Sequence, residues 1–562
     1  MTRTDCFRSA IWTFSVAVSL AFGAGLGSGC GGRSGYWSTP VDSAPPTFAL
    51  PGAVALLDTA AARVVLLTPG PNQSLATTPI PLGSNVLNAA LSPDGRKLFV
   101  VSGGHRAEIG DDQPDEHPSL TVIDPSQMPP EQKFVLTTLT DPLAGLAIDP
   151  AGRWVVLYAG SGADQPFVAN PNGLVILDVT QPLSATNPVS HTLMSFGGLP
   201  QRFTFTPPMA LPTGSHPLLV VESDQGLSIL QLEHPEIPEI TVPLTNGADT
   251  QLLTPAGIAV EVGDAQNAAG LGIRLANDTD VVSLQFVAEP GADLTVENGF
   301  LPTVNLTDVG GIASALAYVH TDGGLRLAAL VPTKSKATLI DPVTSLTQDV
   351  ALPAPYQSLS LVTDPNNDTS ATNPTTTVDV ALLWNGATTQ GQEGAAFWEL
   401  GQTSGQPYRS IATVGITDVI SEVLDVPATA GGDSLKVLAT RDTASFYILD
   451  LTTRTAAPLL TSNSYIDLSV SPAGDQVWTY VPNGTQVAAT SLQTKQPRSL
   501  LIERPVAQVF EIERADGGRS AIVLHDEGGV GATVYDATTL DDRTRRLYAG
   551  LLTSDRATGG TP

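Results

Sequence analysis

One strand-like segment recurs along this chain at an almost constant interval, and that interval limits the fold more than any other feature. SLTVIDPSQ lies around Asp124, GLVILDVTQ around Asp178, GLSILQLEH around Leu232, VVSLQFVAE around Val287 and KATLIDPVT around Asp341. The step is about 54 residues, the length of one supersecondary unit in a repeat protein. RVVLLTPG near Thr68 is an earlier member, and FWELGQ near Leu400, FYILDLTT near Asp450, VAATSLQT near Ser491 and ATVYDATT near Asp536 are later ones, which gives ten anchors. The apolar runs are short and built mainly from Val, Leu, Ile and Ala, as suits strands packed face to face. With 42% apolar and only 15% charged residues the chain can bury a large core, so it is not a disordered polymer.

A second motif precedes several anchors: NAALSPDGRKLFVV, AGLAIDPAGRWVVL and DLSVSPAGDQVWTYV. In each, Pro93, Pro150 or Pro472 presets a turn, and Gly95, Gly152 or Gly474 supplies the positive φ that closes it, so each stretch predicts a hairpin. EIERADGGRSAIVL is a degenerate copy. Each unit therefore reads as four strands, a to d, with the tight turn between a and b. Four-stranded units repeated eight to ten times predict an all-β propeller, closed into a ring over residues 52–553, with a disordered tail at 554–562. The first unit has no evident strand a, and LYAGLL near the C-terminus is the segment expected to supply it and close the ring. The SPDG-type turn followed by KLFV resembles the YVTN-like, lactonase-like and TolB-like propellers of bacteria. That resemblance implies a blade type over most of residues 52–550 and carries no catalytic residue.

The N-terminus predicts export. Arg3 and Arg8 precede an apolar, uncharged run from Ala10 to Leu26, the layout of a signal peptide over residues 1–29. LGSGC, ending in Cys30, resembles the lipobox of bacterial lipoproteins, which implies diacylglycerol on the Cys30 thiol and a membrane attachment through lipid alone. Leu26 stands one position further from the Cys than that family prefers. Gly31 after the Cys implies, by the same resemblance, the outer membrane as destination. Residues 30–51, rich in Pro and Ser, read as a flexible tether. Cys6 leaves with the signal, so the mature chain has no partner for a disulfide.

The net charge is −28, and loss of Arg3, Arg8 and Asp5 with the signal makes it one unit more negative. Such a field repels nucleic acid and anionic head groups and attracts cations or basic partners. The densest ionisable stretch is GGHRAEIGDDQPDEHP, with His105, Asp111, Asp112, Asp115, Glu116 and His117. If the SPDG turn marks the lower face, this stretch is the b–c loop of its unit and emerges on the upper face, beside the next such loop with Asp164. Asp111, Asp115 and His117 are the candidate metal ligands, for calcium through oxygen or a transition metal through nitrogen. The same loop also reads as a solvated acidic excursion. DPNNDT offers Asp364, Asn366 and Asp368 at calcium-loop spacing, but Thr369 and Thr375 stand where such a loop needs Gly and Glu. The sequons at Asn72, Asn277, Asn305, Asn367 and Asn483 read as turn residues. The chain carries no GxSxG, HExxH, P-loop or CxxC motif. The expected function is thus a non-enzymatic binding or scaffolding propeller of the envelope, with an envelope protein or small cationic ligand as partner. The alternative is a lactonase-like propeller hydrolase acting on a small extracytoplasmic substrate.

Overall fold

The computed structural model describes Asp42 and residues 44–553, except 107–114, 140, 161–166, 185, 195–198, 224–225, 246–252, 289–299, 363–378, 387–392, 404–405, 408–409, 428–433, 441–442, 462–463 and 527–528. Cys30 and the signal peptide lie outside the described residues.

The described chain folds into ten antiparallel four-stranded sheets. Taken in order as blades 1 to 10, they span residues 47–81, 86–135, 145–192, 200–243, 255–308, 315–351, 358–413, 422–460, 467–499 and 506–548. A two-stranded excursion in blade 7 pairs Gln402–Thr403 with Gln406–Pro407. The only helical turns among the described residues are Pro71–Gln73 and Pro332–Lys334. In every blade the four strands pair in chain order, so strand a begins at one end of the ring, here called upper, and strand b returns to it. All ten repeat anchors are strand c.

The sequence explains the layering. Strands b and c, such as Leu98–Ser102 and Ser119–Ile123, are buried along their whole length, because a neighbouring blade covers each of their faces. Continuous apolar runs satisfy that environment, where an alternating pattern would not. The outermost strands alternate instead: in Glu131–Val135 only Phe134 is buried. The innermost strands, such as Val86–Leu91, are half-buried throughout, as expected of strands that line a central channel.

Ten apolar clusters bridge ten successive blade pairs. The one that closes the ring sets Val54, Leu56, Val65 and Leu67 of blade 1 against Phe510, Ile512, Ile522 and Leu524 of blade 10. Closure is by packing, and this corrects the expected role of LYAGLL. Arg546–Tyr548 is strand d of blade 10, paired with its own strand c, while strand a of blade 1 is Thr47–Leu50, paired with Ala53–Asp58. That first strand lies inside the segment read as tether. It was hidden because TFAL is short and follows two prolines. Polar ties reinforce the seam: Tyr548 donates to the Gln73 carbonyl at 2.8 Å, and Arg63 donates to the Leu552 carbonyl.

The recurring aspartate of strand c has a local reason. Asp341, Asp450 and Asp536 each accept backbone N–H bonds from residues two and three positions on, at 2.8 to 3.1 Å. Each caps the c–d turn, so part of the acidity is spent on turns. Among the sequon residues, Asn72 and Asn483 sit at positive φ and Asn277 lies in a bend, as turn residues. Asn305 departs from that expectation: it is within strand Phe300–Asp308.

Candidate functional site

The lower ends of the blades are locally self-sufficient. Gly95, Gly152 and Gly474 have φ of 69°, 63° and 67°, the left-handed conformation the sequence required of them. Asp149 accepts from the backbone N–H groups of Arg153 and Trp154 at 2.5 and 2.7 Å. Arg153 donates through two nitrogens to Asp178 at 3.0 and 2.8 Å. Burial pushes the Asp178 carboxyl up, but the bonds from Arg153 and Thr180 outweigh it and hold the group below its ordinary value. Between blades 9 and 10, Arg519 spans Asp475 at 2.6 and 2.7 Å and reaches Glu511 at 2.8 Å. The Trp478 indole N–H donates to the other Glu511 oxygen at 2.7 Å. Both oxygens of that buried carboxylate are used.

The upper face carries the loops singled out in the sequence. The b–c connections of blades 2 and 3, between Ser102 and Ser119 and between Tyr158 and Gly173, start and end there. His105 and Glu116 pair through both backbone N–H groups, at 2.9 and 2.7 Å, closing the base of the first loop. The Glu116 carboxylate accepts from the Ser84 N–H at 3.0 Å, from the Ser84 hydroxyl and from Lys133 at 3.2 Å. Burial raises its pKa, but those partners hold the group below its ordinary value. Its role is to pin the loop to the preceding connection and to strand d. Asp115 and His117 are exposed on the same base. Asp111, Asp112 and Asp164 lie outside the described residues, as do Asp364, Asn366 and Asp368. Among the described residues no group of three His, Cys, Asp or Glu side chains is placed to hold a metal ion.

The structure adds a constellation that the sequence reading did not single out, at the upper ends of blades 3, 4 and 5. Arg202 on strand a of blade 4 (Pro200–Leu211) pairs in register with Glu222 on strand b (Gly214–Ser223), and the two side chains meet at 3.2 Å. Glu222 is only 2% exposed, and its second oxygen, Oε1, is buried without a hydrogen-bond partner. In blade 5, Arg274 pairs in register with Gly257 of the innermost strand. A Cβ at Gly257 would stand 3.1 Å from Arg274 Nε, so the guanidinium stem crosses the innermost strand at a position that has no side chain. Blade 3 repeats the device. Tyr158 pairs with Gly145, a Cβ there would fall 2.6 Å from the tyrosine ring, and that ring packs on Phe203 with centroids 4.4 Å apart.

The electrostatics of this rim are unbalanced. Burial raises the Glu222 pKa, and the nearby Arg202 and Arg274 offset this only in part. Burial lowers the Arg274 pKa, as does the like charge of Arg202, against the pull of Glu222. Among the described residues Arg274 makes no hydrogen bond and no ion pair. A half-buried guanidinium and a buried carboxylate oxygen thus share one rim with their bonding capacity unspent, an arrangement that costs stability and is found where a ligand completes the bonding. The available signal in the sequence was a charged residue ending an otherwise apolar inner strand, as in LLVVES and GLGIRL.

No family model and no curated protein matches this chain. Among solved structures, dihydro-heme d1 dehydrogenase NirN in complex with DHE is similar over 90% of this chain and 75% of its own, at 12% identity and TM-score 0.34. Apo AztD from Citrobacter koseri is similar over 79% of this chain and 93% of its own, at 9% identity and TM-score 0.33. A eukaryotic initiation factor aligns over 84% of this chain and 90% of its own, at 8% identity and TM-score 0.39. At that level the likeness says nothing of activity. The class is fixed by strand pairing: this is a ten-bladed β-propeller.

Proposed function

We propose that this propeller is a non-enzymatic binding module of the bacterial cell envelope, anchored by lipid on Cys30 in the outer membrane, with the upper face as its binding face. The observation that carries the reading is the contrast between the two ends of the blades. Lower turns satisfy their own polar groups, whereas the upper rim of blades 4 and 5 buries Glu222 Oε1 without a partner and holds Arg274 without an acceptor. A scaffold requires no such imbalance, and a binding face does. The acidic loop with Asp111, Asp112 and Asp115 stands on the same face and favours a basic envelope protein or a small cation there.

The test pairs one upper-face variant with one lower-face variant. A partner recovered from envelope extracts with the full-length protein should be lost when Asp111, Asp112 and Asp115 become Asn, and retained when Asp94 becomes Asn. Retention in the first case and loss in the second, with both proteins melting normally, overturns the assignment of the face. For the anchor, Cys30→Ala should abolish incorporation of a clickable fatty acid and release the protein from membranes. Continued labelling of that variant removes the lipoprotein assignment.

A further inference from the structure

Resting on the upper face as the binding face, we propose that the rim of blades 3 to 5 takes a sugar acid. Its carboxylate would sit on Arg274, a ring hydroxyl would donate to Glu222 Oε1, and its pyranose face would lie against Tyr158 and Phe203.

Three observations define that chemistry. The first is a cation without an acceptor, which selects an anionic group. In a chain of net charge −28, Arg202 and Arg274 outnumber Glu222 at this rim, so an anion meets local attraction inside an otherwise repelling field. A guanidinium also prefers a planar, two-oxygen acceptor, which a carboxylate presents. The second is the unpartnered Glu222 Oε1, 2% exposed at the residue level. An ionised carboxylate only accepts hydrogen bonds, so the same ligand must bring a donor. A simple anion such as acetate leaves that oxygen unsatisfied; a hydroxylated one does not. The third is the tilted Tyr158–Phe203 pair, at 43° between rings, which offers an apolar wall beside the charges. Sugar rings, with polar edges and C–H faces, fit a site that is charged on one side and aromatic on the other. The two strand-a glycines are the enabling device, since a side chain at Gly145 or Gly257 would meet Tyr158 or Arg274.

Calorimetric titration of the full-length protein with D-galacturonate, methyl galactoside and L-glutamate tests the inference. Galacturonate should bind saturably and at least about tenfold more tightly than the neutral galactoside, a difference of about 1.4 kcal/mol. Arg274→Met should erase that preference, bringing galacturonate to the level of the galactoside, and Arg274→Lys should restore part of it. Glu222→Gln should weaken both sugars. Equal binding of acid and neutral sugar, or an unchanged preference in Arg274→Met, overturns the proposal. Binding of L-glutamate without galacturonate also overturns it, because the rim would then take amino acids. Should Arg274→Met fail to fold, Arg274→Lys at an unchanged Tm supplies the same reading. Loss of sugar binding with envelope-partner capture intact sinks this inference alone, while loss of both sinks the binding-face assignment as well.

Discussion

Glu511 and Glu222 are both buried carboxylates on inner strands, and burial pushes the pKa of each upward. Their surroundings differ. Glu511, at the lower junction of blades 9 and 10, accepts from Trp478 and Arg519 with both oxygens, and Arg519 carries on to Asp475. Glu222, at the upper end of blade 4, has Arg202 on one oxygen and nothing on the other. The first is a joint between blades, completed by the chain itself. The second is incomplete, and in a ring whose other turns close their own bonds that incompleteness points outward, to a ligand.

The largest effect that would break this comparison comes from Glu511→Ala. It leaves Arg519 and the Trp478 N–H partly unpaired at a buried junction, and removal of one partner from such a network costs about 3 kcal/mol. The variant should show a clearly lowered Tm; a melt like that of the parent protein would mean the junction is ornamental. Next comes Gly474→Ala in the neighbouring lower turn. At φ 67°, a Cβ would lie 2.3 Å from the Pro427 carbonyl oxygen, and strain plus clash should cost about 2 kcal/mol.

Glu222→Gln should be far milder, within about 1 kcal/mol of the parent protein in either direction, because the charge it removes is poorly compensated. A fall in Tm as large as that of Glu511→Ala would make Glu222 a joint as well. The pH dependence sharpens the same point. Since burial raises the folded pKa of Glu222, its contribution to stability is present below its ordinary value, about 4.5, and is lost as pH rises through the folded pKa. Asp475 behaves oppositely: burial is outweighed by Arg519 and Ser471, which hold its pKa below about 3.8, so its contribution is present above that value and is lost as pH falls through the folded pKa. The Tm difference between the parent protein and Glu222→Gln should therefore decline from pH 4 upward, while the penalty of Asp475→Asn should shrink on acidification. The smallest effect on stability belongs to Gly257→Ala. Its new Cβ meets the flexible Arg274 side chain at 3.1 Å, so the melt should barely move while anion binding is lost.

The ring was legible because its repeating unit is written in local sequence. Strand c is a short apolar run ending in an aspartate that caps its own turn, and the a–b turn is written in Pro and Gly; both signals need only neighbours along the chain. Blade number followed from counting anchors. The first strand was missed because Thr47–Leu50 is four residues with no turn motif before it. The upper rim was missed for a different reason: Tyr158, Arg202, Glu222 and Arg274 come from three blades, and their meeting depends on register and on two glycines opposite them. Nothing within about a dozen residues of any one of them announces the others, whereas the acidic loop with Asp111 to His117 announced itself by composition.

Closure by packing has a consequence for assembly. Every blade is one contiguous stretch of chain, and no strand is exchanged across the junction of blades 1 and 10, so the molecule is topologically a linear stack that happens to meet its own end. Cutting it between blades 1 and 2 and joining the old termini would leave all ten sheets whole, which makes the protein a natural substrate for circular permutation. The same property sets its hazard. A copy that opens at the seam bares Val54, Leu56 and Leu67 on one side and Phe510, Ile522 and Leu524 on the other, two complementary apolar faces that a second opened copy can join end to end, turning a closed ring into the first link of a polymer.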